Sequence, residues 1–305
     1  MISIVFSFKN EQENLQELID RTLAVCFSLN VKFEIIFVDD NSIDQSKKII
    51  TDNISKHNQI KYLKMTRTFG VAPCVIAGFE KAKGNHIIYL DSDLQDPPEL
   101  IEEMYKKALE GYEIIHTQRS SRQGEHFLKL LLTKYAYQVI SWSFPFKIHK
   151  NSGDFKLLSR KVVDSILNIN EKDPFLRALP SWSGFKDYVI KYDRKSRFKG
   201  ATKFSLLSSI NPYKELLRAL SSFSSIPIYF GVISGMITLV VTCFLFIMKI
   251  TNLMNGISEI VLLILFLFSF SQFTIGFIGI YIERILKQTS NRPQFIIEET
   301  IGFTD

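Results

Sequence analysis

The segment Asp91-Ser92-Asp93-Leu94-Gln95-Asp96-Pro97-Pro98-Glu99 sets four carboxylates and two prolines within nine residues. Two carboxylates at i and i+2 on a turn can aim at one point, which is what a hard divalent cation asks of oxygen ligands. Such an ion would relieve the repulsion between Asp91 and Asp93, and the amide oxygen of Gln95 could add a third ligand. Magnesium bound in this way shares its coordination with substrate phosphates. Acidic triplets are common in solvated loops, so the weight of this one comes from its place. It follows the apolar run His86–Leu90, which reads as a buried strand, and a second acidic strand end stands at Asp39-Asp40 after Phe33–Val38.

These clusters need elements to hold them. Apolar runs at 2–8, 33–40, 60–65, 86–90, 112–118, 153–159 and 188–193 predict strands. Between them, helical patterns cover 10–29, 42–54 (with Ser42 or Asp44 as cap), 71–82, 99–111, 125–144 and 160–169, and 173–185 reads as helix and turn. Pro97 and Pro98 suit the opening of the 99–111 helix, where a missing N–H is harmless. Alternation of nearly continuous apolar strands with helices predicts an α/β fold with a mainly parallel sheet. Ligands of such sheets bind at the carboxyl ends of the strands, and both acidic clusters fall there.

The C-terminal third is different. Ile226–Met248 and Ile260–Ile282 contain no charged residue. As helices, each would run about 34 Å, enough for a hydrocarbon core of ~30 Å. Lys214 and Arg218 precede the pair, and Arg284, Lys287 and Arg292 follow it, while the connection is nearly neutral. That bias puts both termini in the cytosol. Asn211 and Pro212 open a stretch whose Leu216, Leu217, Leu220 and Phe223 make an apolar stripe, which predicts an interfacial helix over 211–225.

Other features exclude classes. The net charge of +6 fits an anionic partner, but there is no zinc-finger spacing and no basic recognition helix to suggest nucleic acid. Neither a phosphate-binding Gly-rich loop nor a dinucleotide fingerprint is present. Cys26, Cys74 and Cys243 lack metal-ligand spacing and read as free thiols. The five histidines show no ligand spacing either. The N-terminus lacks the pattern of a signal peptide, which predicts that the first two-thirds stay in the cytosol.

Four segments together, Val38–Ser46, Asp91–Glu99, Gly153–Asp164 and Phe175–Phe185, resemble the signature stretches of polyprenyl-phosphate glycosyltransferases. These include dolichyl-phosphate mannosyltransferases and, closer still, bactoprenol glucosyltransferases. The likeness covers nearly the whole chain. It implies a GT-A-type domain over 1–210, the interfacial helix, a membrane hairpin over 226–282 and a cytosolic tail over 283–305. It further implies a nucleotide-sugar donor, a lipid-phosphate acceptor, a Mg2+ or Mn2+ ion and a place in the cytoplasmic membrane. Members of the family often assemble as oligomers. Asp39 or Asp40 would face the base or ribose, and Glu11 would lie beside the nucleotide. Asp91, Asp93 and Gln95 would serve the ion and the diphosphate, and Asp154 would sit near the reacting centre. Departures from the family pattern are Ser7 for a proline, Lys9 beside Asn10, Thr68 for an asparagine and Lys156 for an arginine. The last replaces a forked guanidinium by a point charge.

The implied reaction needs charge more than a base. A metal ion neutralises the leaving diphosphate as a Lewis acid. A lipid monophosphate has a second pKa of about 6 and arrives mostly deprotonated. The site must therefore bring an anion to an electron-poor sugar carbon. Arg119, Arg122, Lys156, Arg197 and Lys203 are the basic residues that could hold it, the last two matching the family's pattern. The expected activity is transfer of glucose from UDP-glucose, with inversion, to undecaprenyl phosphate, giving a lipid-linked sugar for surface-polysaccharide modification. Other donors, GDP-mannose or a UDP-aminosugar, fit the same scaffold, and a non-catalytic sugar-lipid carrier is the remaining alternative.

Overall fold

The computed structural model describes residues 1–120, 143–149, 152–169, 171–193, 222–224, 226–251 and 257–303. The chain divides into an α/β unit (1–137, 146–209 and 293–305) and a helical unit (138–145 and 210–292).

In the α/β unit the strands are β1 (Ile2–Phe8), β2 (Phe33–Asp39), β3 (Ile60–Met65), β4 (His86–Asp91), β5 (Ile114–Arg119), β6 (Ser152–Ser159), β7 (Asp187–Tyr192) and β8 (Ile297–Ile301). They form one sheet in the order β7-β5-β6-β4-β1-β2-β3-β8. β4, β1, β2 and β3 run parallel, β6 is antiparallel to both β4 and β5, β5 and β7 are parallel, and β8 is antiparallel to β3. The sheet is therefore mixed but mostly parallel, as the alternation predicts. Every residue of β1 and β2 is buried, which explains their unbroken apolar character.

The helices are α1 (Leu15–Ser28), α2 (Ser46–Ile54), α3 (Val71–Lys81), α4 (Leu100–Leu109), α5 (Arg160–Ile169) and α6 (Leu179–Trp182). On one face of the sheet Ile4, Phe6, Ile35, Phe37, Ile88 and Leu90 join Leu18 and Ile19 of α1 and Ile101 and Met104 of α4 in a single core. Alternate strand residues point the other way. There α3 lies against β1 and β2 so closely that a Cβ on Gly78 would stand 2.3 Å from Cγ1 of Val5.

Two helix starts differ from the sequence reading. α2 begins at Ser46 rather than Ser42, because Ser42 is used elsewhere, while Asp44, the other expected cap, bonds the first helical amide. The Ser42 hydroxyl accepts the Asn10 amide (2.9 Å), and the Asp44 carboxylate accepts the amides of Gln12 (3.2 Å) and Ser46 (3.0 Å). For the same reason α1 begins only at Leu15, residues 10–12 being tied to the loop after β2. The terminal stretch, read as a tail over 283–305, contributes β8. Its Glu299 and Glu298 pair with Lys47 (2.6 Å) and Lys64 (2.8 Å), so an edge strand rich in acids is held by bases from α2 and β3. The predicted elements over 125–144 and 211–225 lie largely outside the described residues.

In the helical unit α7 (Ile226–Ile250) packs against α8 (Ile257–Thr289). A Cβ on Gly231 would lie 2.5 Å from Cγ2 of Thr274, so the glycine permits a close approach of the helices. α8 continues past the predicted end at Ile282, through Glu283 and Lys287, which pair at 2.8 Å. Among the described residues one segment, Phe266–Thr289, is long and apolar enough to cross a membrane.

Candidate active site

The carboxyl ends of β1, β2 and β4 lie side by side, with Phe8 in register with Asp39 and Ser7 with Asp91. Each chain segment leaving this edge turns through a left-handed residue: Asn10 (φ 53°), Asn41 (φ 61°) and Leu94 (φ 58°). Asparagine tolerates that conformation. For leucine it costs about 1–2 kcal/mol, and Leu94 holds it while only 2% exposed. The Gln95 amide donates to Oδ1 of Asp93 (3.2 Å), closing the turn over Leu94. The strain sets Asp91 and Asp93 on a tight bend.

β6 brings the reacting-centre candidate to the same place. Its pairing with β4 ends at Lys156 opposite Tyr89, and Asp154 lies two residues beyond Lys156, as Asp91 lies two beyond Tyr89. Asp91 is half-buried. Burial above all, then the negative charges of Asp154, Asp96 and Asp93, push its carboxyl up to about 7, although Arg177 pulls the other way. At neutral pH a carboxyl of this kind holds a proton about half the time.

The neighbours are compensated within the protein. Burial would raise Asp154, but Arg177, with Lys156 and Arg119, holds it well below the usual carboxylate range. Arg177 grips it as a fork, Nε to Oδ1 at 2.9 Å and Nη2 to Oδ2 at 2.7 Å. Asp96 is fully buried, accepting from the Tyr192 hydroxyl and from Nη2 of Arg119 at 3.4 Å. Arg119 also donates from Nε to the Tyr192 oxygen (3.3 Å). It lies over Gly153, where a Cβ would meet its guanidinium at 3.0 Å. Lys156 has no exposed surface. Its ammonium donates to the Gly153 carbonyl (2.8 Å) and lies 3.4 Å from the Tyr89 hydroxyl, and burial brings it down to about 8. In this arrangement the charge of Lys156 helps keep Asp154 ionised.

The second acidic cluster is built differently. Asp39 accepts the Tyr62 hydroxyl (2.7 Å) and the Ser42 amide (2.7 Å). Asp40 accepts the amides of Phe69 (2.6 Å) and Gly70 (3.1 Å), and so shapes the loop after β3. Glu11 is buried and accepts the Asn14 side-chain amide at 2.7 Å. The structure thus gathers Asp91, Asp93, Asp154, Lys156 and Arg119 into one group. It places Asp39, Asp40 and Glu11 in a second group on the same sheet edge. Arg122, Arg197 and Lys203 lie outside the described residues. Sequence reading missed Arg177, Asp96 and Tyr192 as parts of the centre. Arg177 had a signal, as a lone base within the apolar segment Phe175–Trp182.

The donor set fits the implied ion. Two carboxylates on one bend, one of them raised in proton affinity by burial and then by like charge, offer the oxygen ligands that Mg2+ and Mn2+ prefer.

Known proteins agree with this geometry. Residues 3–167 match the sequence profile of glycosyl transferase family 2. The glycosyltransferase sll0501 of Synechocystis sp. is 36% identical over 99% of this chain and 96% of its own. The prophage bactoprenol glucosyl transferase homolog of Escherichia coli is 31% identical over 97% of this chain and 98% of its own. The bactoprenol glucosyl transferase of Shigella phage SfV is 30% identical over 97% and 98%. With a GT-A-like mixed sheet whose carboxyl edge carries the acids, and with these matches along its whole length, the chain belongs to glycosyl transferase family 2.

Proposed function

We propose that the protein transfers a hexose, glucose from UDP-glucose, to a polyprenyl phosphate such as undecaprenyl phosphate at the cytosolic face of the cytoplasmic membrane. The observation that carries this reading is the meeting of Asp91 and Asp93, on the bend after β4, with Asp154 of β6 at the carboxyl edge of the sheet. Full-length relatives named bactoprenol glucosyl transferase support the acceptor class.

Asp91 and Asp93, with Gln95, would hold a Mg2+ or Mn2+ ion. That ion supplies Lewis-acid neutralisation of the departing diphosphate. Asp39 and Glu11 line the nucleotide end of the same edge, and Tyr62 fixes the Asp39 carboxylate in one orientation. Asp154 stays ionised under the Arg177 fork and faces the electron-poor sugar carbon as a fixed negative charge. The acceptor phosphate needs no base, because it is already anionic; Arg119, Arg122, Arg197 and Lys203 supply the positive field that draws it in. Attack by that phosphate opposite the leaving group gives inversion.

Both α7 and α8 would cross the membrane. No charge occurs in Ile226–Met248. Ile233, Met236, Ile237, Val240, Phe244 and Ile247 of α7 all point outward, the reverse of a soluble helix pair. Membranes containing the protein, given radiolabelled UDP-glucose, polyprenyl phosphate and Mg2+, should form a labelled lipid, and chelation should stop it. Labelled lipid with GDP-mannose alone would replace glucose by mannose; no labelled lipid with any donor would overturn the reading.

A further inference from the structure

Away from the acidic centre, His116, His149 and Asp187 converge although 33 and 38 residues separate them along the chain. We propose that they form a second metal site, for a borderline transition-metal ion such as Zn2+ and not for the Mg2+ or Mn2+ of the acidic edge. Their ligand atoms all lie within 4.8 Å of one another. Nε2 of His149 stands 2.5 Å from Oδ2 of Asp187, and Nε2 of His116 stands 3.8 Å from the same oxygen. Ligand atoms on a tetrahedral zinc ion are about 3.3 Å apart, from bond lengths of about 2.0–2.2 Å. The observed spacings of 2.5 and 3.8 Å bracket that value.

His116 is the observation that asks for a ligand. It is 1% exposed, its Nδ1 has no hydrogen-bond partner among the described residues, and its Nε2 has the Ser181 hydroxyl at 3.5 Å. A buried imidazole so poorly bonded costs about 1–3 kcal/mol, and coordination through Nε2 would give that nitrogen a stronger partner than the distant Ser181 hydroxyl. Lys156 is the charge that opposes an ion here, since it pairs with His116 in register, but its ammonium is turned to the Gly153 carbonyl. Two imidazoles and one carboxylate select zinc or its neighbours over magnesium. A cavity of about 230 Å3, lined by Lys147, His149, Ser181, Gly184, Phe185 and Asp187, gives access and room for a fourth ligand. The three ligands also belong to β5, the approach to β6, and β7, the strands that carry Arg119, Asp154 and Tyr192.

The test uses the full chain in detergent, free of any histidine tag and stripped with chelator. Titration with Co2+ should give the visible absorption of a nitrogen-ligated ion at one equivalent. Zn2+ should raise the unfolding temperature, with Mg2+ at the same concentration giving neither effect. His116→Gln/His149→Gln should bind about tenfold or more weakly and lose the Zn2+-dependent rise while keeping the wild-type circular dichroism. Should the double variant misfold, His149→Gln alone, at the cavity wall, makes the same comparison. Absence of the Co2+ band in the wild type, or equal affinity in a folded variant, overturns the site.

Discussion

Asp91 should make the metal-free protein less stable as pH rises, and the size of the effect follows from its surroundings. Its folded-state pKa is pushed up to about 7 by burial and by Asp154, Asp96 and Asp93. Between the ordinary value of about 3.9 and 7, the unfolded chain has released the proton and the folded chain still holds it. The folded state then binds more protons, so stability falls as pH rises, by at most about 1.4 kcal/mol per unit and about 4 kcal/mol across the window. Partial exposure screens the charges, and about 2–4 kcal/mol is the expected loss. Asp91→Asn removes the liability. Without metal at pH 8 it should unfold about 5–15 °C above the wild type and show a flatter profile between pH 4 and 7. Mn2+ should stabilise the wild type increasingly over that same window, because the ion displaces the proton, and should do little for the variant. Asp154 does not confuse the result: its folded pKa is depressed, so its contribution is present above the ordinary carboxylate value and is lost only at more acidic pH. Thermal unfolding of the detergent-solubilised chain with and without chelator measures all of this. Identical slopes for wild type and Asp91→Asn would refute the electrostatic reading.

Arg177→Ala removes the fork on Asp154 and the positive charge nearest the acids. Lipid-linked sugar formation should fall about 10²–10³-fold, with a stability loss near 1–2 kcal/mol because the arginine is partly exposed; near-normal turnover would place Asp154 outside the reacting centre. Gly78→Ala should cost about 1–3 kcal/mol in denaturant unfolding, since Val5 and β1 leave no room for a methyl group. A peptide tag inserted between 249 and 258 should be reachable by antibody from outside the cytoplasmic membrane, and protection there would contradict the hairpin topology.

Seven of the eight strands are legible in the sequence because each is an apolar run that the sheet buries. β8 is not. Ile297-Glu-Glu-Thr-Ile places two acids together and breaks both the alternation and the run. It becomes a strand because Lys47 and Lys64, far away in sequence, neutralise it at the edge of β3. The acidic edge was legible as well, through carboxylates at strand ends, but their division of labour was not. Asp154 and Arg177 are 23 residues apart, and only the meeting of β6 with the turn before α6 shows that they are partners. His116, His149 and Asp187 likewise lack any local spacing, and only β5 and β7 lying side by side bring them together.

The opening segment shows how far residue type is from residue role. Its four carboxylates have four environments. Asp96 is sealed under Tyr192 and Arg119. Glu99, half in solvent, binds Arg21 as a fork at 2.7 and 2.8 Å. Asp93 accepts an amide two residues on. Asp91 is driven up to about 7, chiefly by burial and then by the charges of Asp154, Asp96 and Asp93. Nothing in the nine letters separates these fates; the antiparallel insertion of β6 beside β4 does, by bringing Asp154 close enough to make Asp91 reluctant to ionise. The left-handed backbone of Leu94 adds a second local cost at the same bend. A fold seldom keeps two such costs within four residues unless binding relieves them. A cation would lift the Asp91 penalty and hold the bend that Leu94 strains to make, so the stability these two costs withhold would become affinity for the ion.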